Sequence, residues 1–194
     1  MENEKRIHYN YSAKEALEKL VEGNKRYVNN ETTTISSENN LLMKTSKEGQ
    51  KPYAIIVTCS DSRVIPEAIF SAGIGDLFVI RVAGNVIDSH QLGSIEYAEE
   101  HLGTGLVVVL GHTNCGAINA VISGHASGYI KYIADDITRA VGNEKNAYKA
   151  CCMNVKHSCD MIESSLIIQK DEKEYGLSVM GAIYHLEDGR VEFI

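Results

Sequence analysis

The 194-residue chain lacks the features that mark several broad classes of protein. Its first ten residues, MENEKRIHYN, are polar and charged, which argues against a secretory signal with an apolar centre. No run approaches the roughly 18 apolar residues of a membrane span. The net charge of −7 argues against general nucleic-acid binding, because such proteins present a basic face. We therefore expect a cytoplasmic protein without a membrane or nucleic-acid partner.

Disulfides and repeats are also not indicated. The five cysteines are an odd number in a chain of ordinary size, so a disulfide scaffold is not expected. We find no internal repeat, no low-complexity segment and no convincing domain boundary. The sequence instead has 44% hydrophobic and 23% charged residues, which is typical of a globular protein. Its length is sufficient for one core, and we predict a single domain over residues 1–194.

Short runs rich in valine, isoleucine and leucine alternate with helical patterns after residue 50. The predicted strands are 53–58, 77–82, 106–110, 178–186 and 190–193. The predicted helices are 66–72, 91–101, 115–123, 128–141 and 146–165. Continuous apolar strands that alternate with helices indicate an α/β fold, with a mostly parallel central sheet flanked by helices. We assign this α/β core to residues 51–194.

Residues 1–50 form a predicted N-terminal helical arm. Ser12 and Glu15 have the spacing of a capping box, and apolar residues then recur at helical spacing, which predicts a helix over 12–29. A Gly-Asn pair at 23–24 interrupts this pattern and indicates a bend or an early end. Residues 30–50 are polar and aperiodic, so we expect a surface crossing with one short turn of helix at most.

Three side chains at predicted strand ends have the chemistry of a zinc site. Cys59 follows strand 53–58 directly, and His112 follows strand 106–110 after one glycine. Because sites in α/β sheets form outside the carboxyl ends of the strands, we expect these two side chains to lie at the same edge. Cys115 opens a predicted helix whose N-terminus favours a thiolate. Two thiolates and one imidazole predict zinc with an open coordination position, which is typical of catalytic sites.

Asp61 and Arg63 form a second chemical pair. They lie two residues apart, so an extended segment directs both to the same side. A guanidinium binds a carboxylate in bidentate fashion, which keeps Asp61 ionised with a lowered pKa. Beside the metal, Asp61 would accept a hydrogen bond from zinc-bound water; released by Arg63, it would occupy the fourth zinc position. The alternatives are a structural salt bridge, iron in place of zinc, and cysteines that are only buried.

Two motifs at these positions, CSDSRV at 59–64 and LGHTNCGA at 110–117, resemble those of the β-class carbonic anhydrases. The resemblance covers nearly the whole chain, and its other matching segments are 16–17, 23–27, 49–52, 75–81, 83–85, 93–98, 181–184 and Gly189. It implies reversible hydration of carbon dioxide to bicarbonate and a proton, through attack of zinc-bound hydroxide with one zinc ion per subunit. The same resemblance implies a homodimer or a dimer of dimers.

The resemblance also assigns roles to individual positions. The residues that match the family's zinc ligands are Cys59, His112 and Cys115, and those that match its catalytic dyad are Asp61 and Arg63. The residues that match its substrate site are Gln50, Gly116, Phe78, Ala83 and Tyr97. Because family sites lie at a dimer interface, Gln50 and Tyr97 would belong to a neighbouring subunit. The alternatives are a surface role for Gln50 and a core role for Phe78 and Tyr97.

Two other functions use the same residues. One is a related zinc hydrolase that acts on carbon disulfide or carbonyl sulfide through an apolar tunnel, and the other is a non-enzymatic zinc domain with Asp61 permanently on the metal. The chain also departs from some bacterial members, whose regulatory bicarbonate pocket uses a tryptophan three residues before the first cysteine. Here that position is Ile56, and the chain has no tryptophan. We therefore do not expect that form of regulation.

Six further residues could bind a metal or carry protons, but each also has a purely structural interpretation. We interpret three cysteines of the predicted helix 146–165 as buried side chains rather than a second metal site; they are Cys151, Cys152 and Cys159. Three histidines could carry protons to buffer, since the ordinary pKa of histidine is near 6.5, or could simply lie at the surface. They are His90, His101 and His125.

Overall fold

The structure, a computed structural model, describes residues 8–31 and 39–194. Its central sheet has five strands in the order β2-β1-β3-β4-β5. The strands are β1 Ala54–Thr58, β2 Leu77–Arg81, β3 Leu106–His112, β4 Ser178–Tyr184 and β5 Val191–Phe193. The first four strands pair in parallel, and β5 pairs antiparallel with β4. This confirms the predicted mostly parallel sheet.

Helices connect and cover the strands. They are α1 Ala13–Val28, α2 Asn39–Glu48, α3 Pro66–Ile69, α4 Ser89–Leu102, α5 Gly116–Ser123, α6 Ile130–Val141, α7 Ala147–Glu163 and α8 Leu166–Tyr175. A short 3₁₀ helix, Ala83–Asn85, follows β2. Within residues 8–31 and 39–194, no helix combines the length and the apolar character that crossing a membrane requires.

The two faces of the sheet follow from the alternation of side chains along each strand. Ile55, Val57 and Val109 belong to a core cluster that includes residues of α4 to α8. Ile56 and Val108 belong to a second cluster that includes residues of α1 and α3. Because both faces are covered, every residue of β1 and β3 is buried, which explains their unbroken apolar sequences.

Strand order places an opening beside the end of β1. This strand lies between β2 and β3, so the chain leaves it towards one side for β2 and then returns across it to β3. Such a reversal leaves a crevice at the carboxyl ends of the two central strands, where ligands of open α/β sheets bind. Cys59 directly follows β1, and His112 is the last residue of β3.

Strand β3 and helices α2 and α8 differ most from the sequence prediction. Strand β3 extends through His112 because Gly111 and His112 pair with β4. Helix α2 has ten residues where one turn was expected. Helix α8 was not predicted; Ser165 is its N-cap, and the hydroxyl of this residue accepts hydrogen bonds from two backbone amides of the first turn.

Helix α1 has the predicted capping box but no break at Gly23 and Asn24. A Cβ atom on Gly23 would lie 1.9 Å from the carbonyl oxygen of Phe70, so glycine permits close packing of α1 against the end of α3. The Asn24 amide donates to the carbonyl oxygens of Ile69 and Gly189. These two residues therefore dock the helix and do not bend it.

Candidate metal centre and active site

The carboxyl ends of β1 and β3 bring the three predicted metal ligands together. The two Sγ atoms of Cys59 and Cys115 and a ring nitrogen of His112 all lie within 4.8 Å of one another. All three residues are buried, and His112 is completely enclosed. Elsewhere in the described part of the chain, no His, Cys, Asp and Glu side chains form another such group of three or more. The convergence expected from the strand ends is therefore present.

The orientation of His112 tests whether a metal fits this position. Its Nδ1–H donates to the carbonyl oxygen of Thr113 at 2.8 Å, which leaves the lone pair of Nε2 facing the two sulfur atoms. Nε2 is buried and has no hydrogen-bond partner among the described residues. A buried acceptor without a partner lowers the stability of the fold. A cation bound by the two thiolates would be a partner for the lone pair of Nε2. The residues present therefore fit zinc in a Cys₂His arrangement.

The electrostatics of the two cysteines also favour a cation. Hydrogen-bond donation from Cys115, together with donation from backbone amides such as that of Gly84, lowers the pKa of Cys59 to about 4 against the opposing effect of burial. The same shared hydrogen bond raises the pKa of Cys115, and burial adds to this effect. Both shifts come from the one hydrogen bond between the two sulfur atoms. Because the thiolate is the form that binds a metal, a dication bound here would displace the shared proton.

Asp61 lies at the edge of this group and is held by Arg63. The guanidinium donates from Nε to Oδ1 at 3.0 Å and from Nη2 to Oδ2 at 2.8 Å, and the backbone amide of Arg63 also donates to Oδ1. These bonds hold the pKa of Asp61 well below its usual range. Its Oδ2 lies 3.9 Å from Nε2 of His112. An ionised acceptor thus stands directly beside the position of the metal.

Backbone contacts that the sequence reasoning missed fix the segment after β1. Arg81, the last residue of β2, donates to the carbonyl oxygens of Cys59 and Asp61. The amide of Gly84, in the 3₁₀ helix, donates to the sulfur of Cys59 at 3.3 Å. Because β2 is the parallel neighbour of β1, a charged residue at its carboxyl end was a signal that could have identified Arg81.

Comparison with known proteins agrees with this geometry. The family model described as carbonic anhydrase matches residues 54–191. A curated relative, carbonic anhydrase 2 of Mycobacterium tuberculosis, is 40% identical over 154 residues, which are 73% of this chain and 74% of the relative. A solved β-carbonic anhydrase of Aspergillus fumigatus superposes with a TM-score of 0.73 at 26% identity, covering 93% of this chain and 89% of that one. The chain belongs to the β-carbonic anhydrase family.

A second solved structure, of a tetrameric β-carbonic anhydrase from Sordaria macrospora, has the same fold. Its TM-score is 0.72 at 23% identity, and the match covers 93% of this chain and 97% of that one. The long coverage in both directions shows that the β-carbonic anhydrase fold extends across the core and helix α1.

The five residues expected in the substrate site lie in different parts of the chain's structure. Gly116 is exposed at the start of α5, and a Cβ built on it would meet open space. Ala83 begins the 3₁₀ helix beside the Gly84 amide. The rings of Phe78 and Tyr97 contact each other, with centroids 6.3 Å apart, and Tyr97 is 48% exposed. Gln50 is exposed between α2 and β1.

The register of the sheet separates Phe78 from the metal ligands of the same chain. Phe78 pairs with Ile55, which precedes Cys59 by four residues. Four residues of extended strand span about 13 Å, so Phe78 cannot touch a small substrate beside Cys59 within one chain. Any role of Phe78 in the substrate pocket therefore requires a second chain.

The structure tests the predicted burial of the remaining cysteines, but it does not test the predicted role of the histidines. Cys151 and Cys159 are buried as expected, whereas Cys152 is partly exposed, so the prediction was wrong for that residue. Cys151 has an unexpected contact, because its thiol donates to the carbonyl oxygen of His112 at 3.3 Å. The three histidines proposed as proton carriers are exposed, and their role stays a prediction; they are His90, His101 and His125.

Proposed function

We propose that this protein catalyses the reversible hydration of carbon dioxide to bicarbonate and a proton, with one zinc ion held by Cys59, His112 and Cys115. One observation carries the proposal: the buried Nε2 of His112 faces two thiols and stands 3.9 Å from an ionised carboxylate. A purely structural zinc site has four protein ligands, whereas this group offers three. A fourth coordination position would then be open to water, with Asp61 beside it.

When bound by these residues, zinc supplies the Lewis acidity that makes water a nucleophile near neutral pH. Oδ2 of Asp61 lies beside the position where the metal would bind, so it would accept a hydrogen bond from a water molecule there and orient that water for attack on carbon dioxide. Arg63 holds both carboxylate oxygens, which keeps Asp61 ionised and supports an arrangement in which Asp61 stays off the metal. This favours an active centre over a zinc domain closed permanently by Asp61.

The substrate pocket completes the proposal and involves a second copy of the chain. Gly116 leaves open space beside the ligand Cys115, and its neighbourhood at the start of α5 offers backbone amides to an anionic product. Phe78 and Tyr97 form an apolar pair too far along the sheet to serve their own metal centre. We propose that these two side chains and Gln50 line the pocket of a neighbouring subunit in a homodimer or a dimer of dimers.

Stopped-flow measurement of carbon dioxide hydration tests the function. Purified protein with stoichiometric zinc is assayed across a range of pH, with carbonyl sulfide and carbon disulfide as competing substrates. We expect hydration well above the uncatalysed rate, lost on removal of zinc by a chelator and restored by zinc. Full zinc content with no hydration at any pH would contradict the proposal, and turnover of the sulfur compounds alone would replace it.

A further inference from the structure

Three polar side chains of α7 reach the backbone that surrounds the metal ligands. Cys151, Asn154 and Ser158 are spaced by three and four residues, so they share one face of the helix. Each is 2% exposed or less, and each donates to a backbone carbonyl oxygen. We call this set the α7 polar stripe. Sequence reasoning gave none of its members a role in the centre.

One of the three hydrogen bonds ends on the backbone of a proposed metal ligand, and the other two end on the short 3₁₀ helix that follows β2. Cys151 donates to the carbonyl oxygen of His112 at 3.3 Å. Asn154 donates from Nδ2 to the carbonyl oxygen of Gly84 at 2.8 Å, and Ser158 donates to the carbonyl oxygen of Asn85 at 2.9 Å. The backbone that carries one imidazole ligand and the loop that touches one sulfur ligand are therefore both fixed to α7.

Gly84 is the link with direct chemical consequence. Its amide donates to the sulfur of Cys59 at 3.3 Å, while its carbonyl oxygen accepts from Asn154. A hydrogen bond to a thiolate stabilises the negative charge and withdraws electron density from the metal it binds. The strength of this bond depends on how firmly the amide is directed at the sulfur.

The segment Ala83–Asn85 requires contacts from other elements to keep its conformation, because its backbone dihedral angles are unusual. Gly84 has φ +70° and Asn85 has φ +46°, which is the left-handed region that side chains other than glycine rarely adopt. A Cβ on Gly84 would lie 2.8 Å from Ile137 of α6, so the loop is also tightly enclosed. Burying an amide side chain is unfavourable unless it is hydrogen-bonded. Among the described residues Asn154 makes the bond to Gly84 through Nδ2, whereas its Oδ1 has no partner, so this one bond fixes the side chain.

We propose that Asn154 is a positioning residue of the metal centre: it holds the Gly84 amide against the Cys59 sulfur and thereby tunes the metal and its retention. The inference rests on the proposed function, because it assumes that Cys59 binds the metal. Ser158 holds the next residue of the loop, whose amide does not reach the sulfur in the described contacts. The effect of Ser158 on the metal is therefore weaker than that of Asn154.

The test compares Asn154→Leu and Asn154→Ala with Ser158→Ala and with Ile162→Val, which alters buried packing of the same helix without a polar contact to the loop. Each variant is loaded with cobalt, and the energy of the sulfur-to-cobalt charge-transfer band is recorded. Zinc dissociation into a chelator is measured in parallel. We expect both Asn154 variants to shift the band and to speed dissociation roughly 10- to 100-fold, as loss of an outer contact to a metal ligand does.

Ser158→Ala should change the band energy and the dissociation rate less than the Asn154 variants do. Ile162→Val should leave both unchanged, even where it lowers thermal stability as much as an Asn154 variant does. Wild-type band energy and dissociation rate in folded Asn154 variants would overturn the inference while leaving the catalytic proposal intact. If neither Asn154 variant folds, NMR of cadmium-loaded wild type and Asn154→Asp decides, since a scalar coupling between the Gly84 amide proton and cadmium requires the hydrogen bond through sulfur. An ionised aspartate cannot donate to the Gly84 carbonyl oxygen, so the coupling should weaken in Asn154→Asp, and an unchanged coupling would overturn the inference. Absence of that coupling overturns the inference; absence of metal binding or hydration in the wild type overturns the proposed function instead.

Discussion

The two edges of the central sheet each bury a cluster of ionisable groups, with opposite electrostatics. At the carboxyl edge, Cys59, His112 and Cys115 converge beside Asp61, whose charge Arg63 balances. At the amino edge, Glu99 near the end of α4 is completely buried, close to Asp171 of α8. Tyr9 of the N-terminal segment donates to Glu99 Oε1 at 2.7 Å. The amino edge has two acids and no described cation bonded to Glu99.

The difference lies in what each cluster requires to become stable. The carboxyl edge lowers the pKa of its first thiol to about 4 and orients a free imidazole nitrogen, so it is prepared for a cation. At the amino edge, burial raises the pKa of Glu99 to about 7, and repulsion from Asp171 and Glu100 adds to this effect against donation from Tyr9. Burial thus favours the protonated form of Glu99, and we call the amino edge the proton-binding edge. The carboxyl edge has instead the side chains that fit a cation.

Replacement of a proposed metal ligand at the carboxyl edge should have the largest effect. In Cys115→Ser, we expect zinc content and carbon dioxide hydration to fall by more than about 100-fold, because even loss of an outer contact to a ligand costs 10- to 100-fold. Metal analysis after gel filtration and stopped-flow assays check this. Cys152→Ser, the same chemical change at a cysteine outside the metal group, is the control and should retain both. Equal zinc in the two variants would remove Cys115 from the ligand set.

Neutralising Asp61 separates chemistry from metal binding. Asp61→Asn should keep stoichiometric zinc but lower kcat roughly 10²- to 10⁴-fold, the range of proton-handling side chains, which is about 3–5 kcal/mol of barrier. The chain contains its own control in Asp188 and Arg190, which have the same spacing and the same bond from the arginine amide but lie exposed at the β4–β5 turn. Asp188→Asn should leave kcat unchanged. Loss of zinc from Asp61→Asn would show that its role is ligation.

The cluster of Cys59, His112 and Cys115 was predictable from sequence, because it depends on patterns that can be recognised within short segments of the chain. Residues that follow buried parallel strands meet at one edge, so the strand pattern alone places Cys59 and His112 together. The α/β order, the capping box of α1 and the Asp61–Arg63 pair follow from equally local patterns. The end of β3 was misplaced, because only pairing with β4 shows that the strand includes its glycine and histidine.

The supporting contacts were not predictable, because they join segments distant in sequence. Asn154 and Gly84 are 70 residues apart, and Tyr9 and Glu99 are 90 apart. A single asparagine in a helix carries no signal that its amide reaches a loop carbonyl. A glutamate in α4 is likewise expected at the surface, since charged residues are rarely fully buried. Only the packing of α7 and α8 against the sheet reveals that Asn154 and Glu99 are enclosed.

The smallest expected effect concerns the proton-binding edge and affects stability rather than turnover. The pKa of Glu99 in the folded protein, about 7, lies above its ordinary value of 4.5. Such a group contributes its full stability below about pH 4.5, and this contribution is lost as pH rises through 7. The loss amounts to at most about 3.4 kcal/mol, since the shift is about 2.5 pKa units and one unit corresponds to 1.36 kcal/mol. Glu99→Gln replaces the protonated carboxyl by a neutral group of similar shape and removes this dependence.

Urea unfolding of zinc-loaded protein between pH 5 and pH 8.5 measures the effect. We expect wild type and Glu99→Gln to have similar unfolding free energies near pH 5, and the variant to be the more stable at pH 8.5. Glu100→Gln, an exposed neighbour on α4, should follow the wild-type profile closely. Parallel profiles for Glu99→Gln and wild type would mean that Glu99 stays ionised when buried. The two edges would then not differ as proposed, because the amino edge would hold negative charge without a proton to neutralise it.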